Sequence, residues 1–412
     1  MGDADQMNGG VELEWLDDSY LTRILSSHES NLVILDSFQK EPATSKGENY
    51  GSSMHLVTAD YRIADASDSE KKSISMIVKS RLDNELVAKL ETEVNVFQRE
   101  EHVYSVIMQA CEDLLRKIGD DTFFGPRAIY TDDRIIVQEN LKEKGYGILD
   151  VKKRFNFEEC RRVLEKLAKF HATTMVLHQK DPDMFKYHQK GNFGEVETPL
   201  HDLFKNSIFT CIEYAKTVPR LQPYLEKLEV FKKNLISKMI KVFTRSSDGF
   251  NVLNHGDMWV NNLMFKKNHD GSIADVLLVD YQEGYYGSPG IDLNYFIYTS
   301  IQKNVYMNRL KELIQEYHRV LVDVLKALDY SQKIPTLEDV ENEIRLKADH
   351  GLATATCIMP LLISEHPELA DPANFLTDTE EARANRLIVF TNENFVDSVA
   401  VFLEDFSNQG VL

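Results

Sequence analysis

The chain has 412 residues, of which 43% are hydrophobic and 27% are charged, and this length allows two lobes or domains. Its 66 acidic residues outnumber the 47 basic ones, and the net charge of -19 argues against nucleic-acid or anionic-membrane binding. The four cysteines have no CxxC spacing, so neither a disulfide framework nor a thiolate zinc site is expected. Because Met1–Gly10 is polar and carries no apolar signal segment, we expect a cytoplasmic protein.

Short β-branched runs separated by turn residues characterise the N-terminal part of the chain. Between Asn31 and Val78 they predict an antiparallel β meander. Apolar residues at three-and-four spacing between Phe97 and Ile118 predict a long helix, and Arg134–Gln138 predicts a further strand. We therefore expect an N-terminal extension over residues 1–30 and a β-rich N-terminal lobe over residues 31–141.

Helical periodicity dominates the rest of the chain. Apolar stripes run from Cys160 to Met175 and from Leu310 to Leu328, which predicts a mainly helical C-terminal lobe over residues 142–412. Two strand-like runs, Asn262–Phe265 and Asp275–Val279, are joined by a turn-rich segment and predict an isolated hairpin. The expected fold class is α+β, with a β-rich first lobe and a mainly helical second lobe.

The segments that flank this hairpin carry the most unusual chemistry of the chain. Asp257 and Asn262 precede its first strand and Asp280 follows its second, so the hairpin would bring these oxygen ligands together. Such a set suits Mg²⁺, which usually accompanies phosphates. The alternative is that the three residues cap a helix, sit in a turn and form a buried salt bridge. We interpret His255 as a packed histidine that holds the loop.

A second set of candidates lies in the N-terminal part. Glu100 falls on the apolar stripe of its helix, and the upstream candidate for its counter-charge is Lys79 at the end of a strand, as in phosphoryl-transfer sites. A structural salt bridge is the alternative. The loop that contains Gly47, Asn49 and Ser52 could approach phosphate closely, although a surface turn has the same composition. No GxxxxGK[ST] motif occurs, which excludes a Walker-type site.

Six motifs occur in a fixed order along the chain. They are Gly47–Tyr50, Phe97-x-x-Glu100-x-x-x-Tyr104, Leu167–Ala172, His255–Phe265, Val279–Gln282 and Gly287–Leu293. With this set the chain resembles the ecdysteroid kinase-like family, in the aminoglycoside phosphotransferase and choline kinase branch of the protein kinase-like fold. The motif around Asp257 is specific, whereas the glycine loop is not.

The resemblance implies roles for the residues around the hairpin. Asp257 would orient the acceptor hydroxyl and accept its proton. Asn262 and Asp280 would hold Mg²⁺. Asp292 would brace the catalytic loop, and His255 would remain structural support.

The resemblance also implies a nucleotide site in the N-terminal lobe. Lys79 would bind ATP phosphates with the glycine loop, and Glu100 would position Lys79. The connection between the lobes would offer Glu139 and Leu141 to adenine through backbone groups. Asn140 between them departs from the aspartate that is frequent in the family, which leaves the polarity of this connection open.

The expected function is that of a bilobal, ATP- and Mg²⁺-dependent kinase that phosphorylates a hydroxyl of a small organic acceptor. An ecdysteroid or a xenobiotic alcohol would serve as acceptor. One alternative is a pseudokinase that binds nucleotide or a small ligand without turnover. Another is a metal-dependent hydrolase, which the lack of a histidine-rich ligand set makes the weaker hypothesis.

Overall fold

The computed structural model describes residues 15–43, 52–64, 71–81, 95–246 and 249–412. These residues group into two compact units. The first lies within Met1–Val87 and Pro126–Lys144, and the second within Ala88–Gly125 and Gly145–Leu412.

An antiparallel sheet forms the first unit. Its five strands follow the order β1-β2-β3-β5-β4. They are β1 Val33–Pro42, β2 Ser52–Ile63, β3 Lys72–Arg81, β4 Ala128–Thr131 and β5 Ile135–Glu139. Helix α1, Asp18–Glu29, precedes the sheet. This succession confirms the β meander and the later strand predicted from the sequence.

One face of the sheet packs against α1. Leu21 and Ile24 of the helix share a hydrophobic core with Val57 of β2 and with Met76 and Val78 of β3. Successive side chains of a strand point to opposite faces, so the odd-numbered residues of β3 face away from this core. The described part of the predicted extension, α1, thus belongs to the core of the first unit.

Helices make up most of the second unit. In chain order they are α2 Val96–His102, α3 Met108–Lys117, α4 Phe157–Lys180, α5 Pro199–Thr217, α6 Leu225–Val242, α7 Gly290–Ser300, α8 Lys303–Ala327, α9 Leu337–Leu346, α10 Ala348–Ala353, α11 Met359–Leu362, α12 Pro372–Leu376, α13 Glu380–Phe390 and α14 Glu393–Asn408. A π-helical segment, Val103–Ile107, joins α2 to α3, and another, Thr354–Ile358, joins α10 to α11.

Five short strands complete the second unit. They are β6 Tyr146–Ile148, β7 Val252–Asn254, β8 Leu263–Lys267, β9 Ile273–Leu278 and β10 Tyr285–Gly287. Strands β6, β8 and β9 form one antiparallel sheet, and β7 pairs with β10. The β8–β9 pair is the predicted hairpin, in which Leu263 lies opposite Leu278. The packed centre of the unit is the long pair α4 and α8, whose apolar stripes the sequence predicted.

The predicted α+β fold class is confirmed, since an antiparallel sheet is followed by a mainly helical part. Within the described residues, none of the helices has the length and apolarity that a membrane span needs. The helix predicted between Phe97 and Ile118 forms, but it packs within the second unit. The lobe boundaries 31–141 and 142–412 therefore stay a prediction.

Candidate active site

The loop between β7 and β8 is folded so tightly that one of its positions must be glycine. Gly256 has φ of +88°, and a Cβ built there would lie 2.3 Å from the backbone oxygen of Glu283. Both the left-handed backbone and the contact exclude a side chain. Asn254, two residues before it, donates through Nδ2 to the backbone oxygens of Tyr285 and Gly287, at 3.1 and 3.3 Å. The start of the loop is thereby fixed to β10.

Asp292 on α7 anchors the same loop from within the protein. Its fully buried carboxylate accepts hydrogen bonds from the backbone N–H groups of His255, at 2.7 Å, and Gly256, at 2.8 Å. The Nε2–H of His171 on α4 donates to the same carboxylate at 3.1 Å. Hydrogen bonds from backbone N–H groups to a charged acceptor are stronger than those to a neutral one, so this carboxylate defines the path of residues 255–256.

The two histidines of this region serve as connectors. His255 donates from Nε2 to the backbone oxygen of Val279 at 2.9 Å, and its Nδ1 accepts from the backbone N–H of Asp257 at 3.3 Å. His171 is buried between Asp292 and Tyr317, whose hydroxyl lies 2.7 Å from Nδ1. Burial lowers the pKa of His171, against the opposing effect of Asp292.

Asp257 is the carboxylate that this scaffold presents. Its Oδ2 accepts from the indole Nε1 of Trp259 at 3.1 Å and from Nδ2 of Asn262 at 2.8 Å. Tyr295 on α7 also hydrogen-bonds its side chain. Burial raises the pKa of the Asp257 carboxyl, the negative charge of Asp280 adds to this, and the hydrogen bond from Tyr295 opposes it. The carboxylate is oriented from several sides, and Asp257 as a residue is only partly buried.

The hairpin brings Asn262 and Asp280 to the same end, as its pairing requires. The backbone N–H of Val279 donates to the backbone oxygen of Asn262 at 3.0 Å, directly beyond the Leu263–Leu278 pair. Asp280 itself has φ of +69°, an unusual value for a residue with a side chain. Its backbone N–H donates to the hydroxyl of Tyr104 at 3.1 Å. Tyr104 lies in the π-helical segment between α2 and α3, and such segments often occur at functional sites.

Asn262 and Asp280 carry oxygen atoms, the type of ligand that a hard cation such as Mg²⁺ prefers. Both hydrogen bonds of Asn262 to Asp257 use Nδ2, so the amide presents its Oδ1 oxygen on the other side. The charge of Asp280 acts on Asp257, and a divalent cation would relieve this repulsion. Over the part of the chain that the structure describes, no group of three or more His, Cys, Asp or Glu side chains is arranged for a metal. A Mg²⁺ ion here would therefore depend on Asn262 and Asp280, together with ligands such as phosphate or water.

Two charged residues of this region escaped the sequence analysis. Glu283 follows the hairpin, and Arg99 is a buried residue of α2 beside Glu100. Burial, together with the negative charges of Asp257 and Asp280, raises the pKa of Glu283 to about 7 against the opposing charge of Arg99. No spacing signal in the sequence connects positions 99 and 283. The one signal in the sequence is the pair of adjacent charged residues, Arg99 and Glu100, on a helix whose face is otherwise apolar.

The residues predicted for nucleotide binding lie in both units. Lys79 on β3 is 4% exposed, pairs with Met54 and Ile136 of the neighbouring strands, and lies on the face away from the α1 core. Glu100 is a buried residue of α2 in the second unit. Ser52 is the first residue of β2 and is buried, which corrects its predicted position in a loop. Gly47 and Asn49 lie outside the described residues.

The segment after β5 is a tight turn organised by Asn140. Its Nδ2 donates to the hydroxyl of Ser75 at 3.0 Å, and its Oδ1 accepts from the backbone N–H of Lys142 at 3.1 Å. Glu139 forms an ion pair with Lys144, and Leu141 is buried. An amide both donates and accepts, so asparagine satisfies both neighbours with one side chain.

Comparison with known proteins identifies the family. The ecdysteroid kinase-like family matches residues 46–330, more than half of the chain. No curated protein matches the sequence of this chain. Among solved structures, an ethanolamine kinase of Plasmodium vivax is similar, with 12% identity and a TM-score of 0.39 over 88% of this chain and 84% of that chain. On the family match, the chain belongs to the ecdysteroid kinase-like family, a family of small-molecule kinases.

Proposed function

We propose that the protein is an ATP-dependent kinase that transfers the γ-phosphate to a hydroxyl of a small organic acceptor. The observation that carries this proposal is the set of contacts on Asp257, whose Oδ2 accepts from Trp259 and Asn262 in a loop anchored by Asp292. A carboxylate held in a fixed orientation on a partly exposed residue is suited to position a hydroxyl group. Phosphoryl transfer depends mainly on such positioning and on charge stabilisation.

Asp257 acts on the acceptor in this proposal. Its carboxylate accepts a hydrogen bond from the acceptor hydroxyl, aims the hydroxyl oxygen at the γ-phosphate and takes up the proton as the phosphoryl group is transferred. Trp259 and Asn262 both donate to Oδ2, and Tyr295 hydrogen-bonds the same carboxylate, so its orientation toward the hydroxyl is fixed from several sides. Tyr295 stabilises the ionised form of the carboxyl against the cost of burial.

Asn262 and Asp280 are the residues that would hold Mg²⁺. Bound there, Mg²⁺ supplies positive charge that offsets the charge of the phosphates. Tyr104 keeps the backbone of Asp280 in place, and Asn262 is held through its contacts with Asp257 and Val279. The two proposed ligands are thus fixed through the hairpin and the π-helical segment.

The nucleotide would be bound by the residues that the family resemblance implies. Lys79 binds the phosphates together with Gly47 and Asn49 and with Ser52 at the start of β2. Glu100 positions the Lys79 ammonium. Glu139 and Leu141 offer backbone groups to adenine. In this proposal residues 31–141 form the nucleotide-binding lobe and residues 142–412 the catalytic lobe, as in bilobal kinases of the protein kinase-like fold.

An ecdysteroid or a xenobiotic alcohol is the acceptor that family membership favours. The strongly acidic chain is a poor match for nucleic acid or anionic lipid, so we propose small molecules as its binding partners. All four cysteines are free and buried, which accords with a reducing compartment such as the cytoplasm.

A mass-spectrometric screen tests the proposed function. The purified chain is incubated with Mg²⁺-ATP and a panel of steroid and non-steroid alcohols, and the products are searched for one added phosphoryl group. We expect at least one phosphorylated alcohol and no product without ATP. Thermal stabilisation by Mg²⁺-ATP with no phosphorylated product would favour the pseudokinase, and hydrolysis of substrates without ATP would favour the hydrolase.

A further inference from the structure

Glu283 lies beside the proposed catalytic base, although the mechanism above does not use it. The turn from Tyr281 to Gly284, closed by a 3.0 Å backbone hydrogen bond, places Glu283 against the catalytic loop. A Cβ built on Gly256 would lie 2.7 Å from the Cβ of Glu283. The side chains of Asp257 and Glu283 therefore start from adjacent stretches of backbone. Both residues are only partly buried, so this stretch of the molecule is open to a bound ligand.

A buried polar network supports Glu283 from the inside. The Arg99 guanidinium is 1% exposed and donates to the backbone oxygen of Tyr187, at 3.2 Å, and to that of Lys190, at 2.5 Å. It also donates to Oδ1 of Asn192 at 3.0 Å. Asn192 then hydrogen-bonds the Glu283 carboxyl, and its free amide donor is Nδ2. One arginine thus fixes the segment that orients Glu283.

The charges around Glu283 show what it could bind. Asp257 and Asp280 repel its negative charge and Arg99 attracts it, while Asn192 supplies a hydrogen bond. The positive charge of Arg99 offsets that of the Glu283 carboxylate, whereas the proposed Mg²⁺ is assigned to Asn262 and Asp280. A hydroxyl group, in contrast, can donate to the carboxylate or accept from the neutral acid, so it suits either protonation state.

We propose that Glu283 binds a second hydroxyl of the acceptor, adjacent to the hydroxyl that Asp257 positions, and so selects vicinal diols over simple alcohols. The inference rests on the proposed function and deepens it by naming the acceptor class. Two carboxylates on adjacent backbone stretches hold two neighbouring hydroxyls, and only the one at Asp257 receives the phosphoryl group. Glu283 is then a specificity-determining residue, and Arg99 and Asn192 are its positioning residues.

Steady-state kinetics with two matched pairs of alcohols test this proposal. The pairs are cyclohexanol with cis-cyclohexane-1,2-diol, and 2-deoxyecdysone with ecdysone, which adds one hydroxyl adjacent to another. The variant is Glu283→Gln, which retains the shape of the side chain. The control is Glu195→Gln, the same chemical change on an exposed side chain.

We expect the wild type to favour the diol of a pair, and Glu283→Gln to lower kcat/KM for that diol about tenfold or more, chiefly through KM, with the simple alcohol little changed. Glu195→Gln should keep the wild-type preference. Equal wild-type turnover of diol and simple alcohol, or an unchanged preference in Glu283→Gln, would overturn the inference and leave the proposed function standing. Transfer to none of the four alcohols would overturn the inference, whereas only the absence of a phosphorylated product from the whole alcohol panel would overturn the kinase proposal.

Discussion

The backbone N–H of His255 donates to Oδ2 of Asp292 at 2.7 Å, across 37 positions of the chain. This contact joins the start of the catalytic loop to α7 through a carboxylate that has no exposed surface. The loop is thereby held by an interaction that the solvent cannot replace. The position of Asp257, two residues further on, follows from it.

Replacing Asp292 should affect both stability and activity. In Asp292→Asn an amide would face donors at His255, Gly256 and His171, and at least one of them would lose its acceptor. We expect the free energy of unfolding to fall by about 2–4 kcal/mol. Urea denaturation measures this change, and kcat should fall in the fraction that remains folded. Unchanged stability would contradict the anchoring role.

A matched pair of glycine variants separates backbone strain from steric contact. Gly256 and Gly271 both have positive φ, +88° and +83°, but a Cβ on Gly271 has no neighbour within 4 Å. Gly271→Ala should therefore cost only about 1 kcal/mol of stability and leave kcat unchanged. Gly256→Ala should cost clearly more and also lower kcat, because the catalytic loop must move away from Glu283. Thermal unfolding and steady-state kinetics are measured for both variants. Equal losses of stability and equal kcat values in the two variants would contradict this account.

Tyr104 should control the affinity for Mg²⁺ through the backbone of Asp280. Tyr104→Phe removes the acceptor of the Asp280 N–H and leaves the aromatic ring in place. We expect the Mg²⁺ concentration for half-maximal activity to rise about two- to tenfold, the usual effect of one lost hydrogen bond.

Tyr285→Phe is the control for this measurement, since it also removes one buried tyrosine hydroxyl, which donates to the backbone oxygen of Phe243. It should leave the Mg²⁺ requirement unchanged. Equal shifts in the two tyrosine variants would mean that the effect of Tyr104 is general destabilisation.

His188 should make the fold sensitive to acid. It is buried, donates from Nδ1 to the backbone oxygen of Gly284 at 3.1 Å, and burial lowers its pKa to about 3, with Arg99 and His102 contributing. Between pH 6.5 and about 3 the unfolded chain binds a proton there that the folded chain does not. Stability therefore falls as the pH falls, by about 1.4 kcal/mol per pH unit for this group.

The variant His188→Asn keeps an amide donor for Gly284 and removes the titration. Its stability should depend less steeply on pH between 6.5 and 4 than that of the wild type, as measured by urea denaturation at several pH values. His269→Asn, on the exposed hairpin turn, should retain the wild-type slope. A wild-type slope in His188→Asn would contradict the assignment.

The spacing of apolar residues in the sequence predicted helices and strands well where the buried residues follow the period of a regular helix or strand. The hairpin of β8 and β9 follows from alternating apolar runs around a turn, and its pairing brings Asn262 next to Val279 as expected. The stripes on α4 and α8 reflect their mutual packing. Each of these features depends on residues close in sequence or on one regular period.

The features that the sequence did not reveal depend on contacts between distant positions. The π-helical turn that carries Tyr104 has the apolar spacing of an ordinary helix, so periodicity predicts a continuous α-helix there. Glu283 and Arg99 meet through Asn192, and no short spacing links the three. The predicted loop at Ser52 is instead the start of β2, because its pairing with β3 extends to Arg81.

The rate of phosphoryl transfer in Asp257→Asn tests the central claim most directly. With Mg²⁺-ATP and the best acceptor from the screen, we expect transfer to be slower than in the wild type by about 10²–10⁴-fold, since the general base is lost. Circular dichroism should show an intact fold, and Asp270→Asn on the hairpin turn should keep wild-type activity. Wild-type turnover by Asp257→Asn would contradict the proposed mechanism.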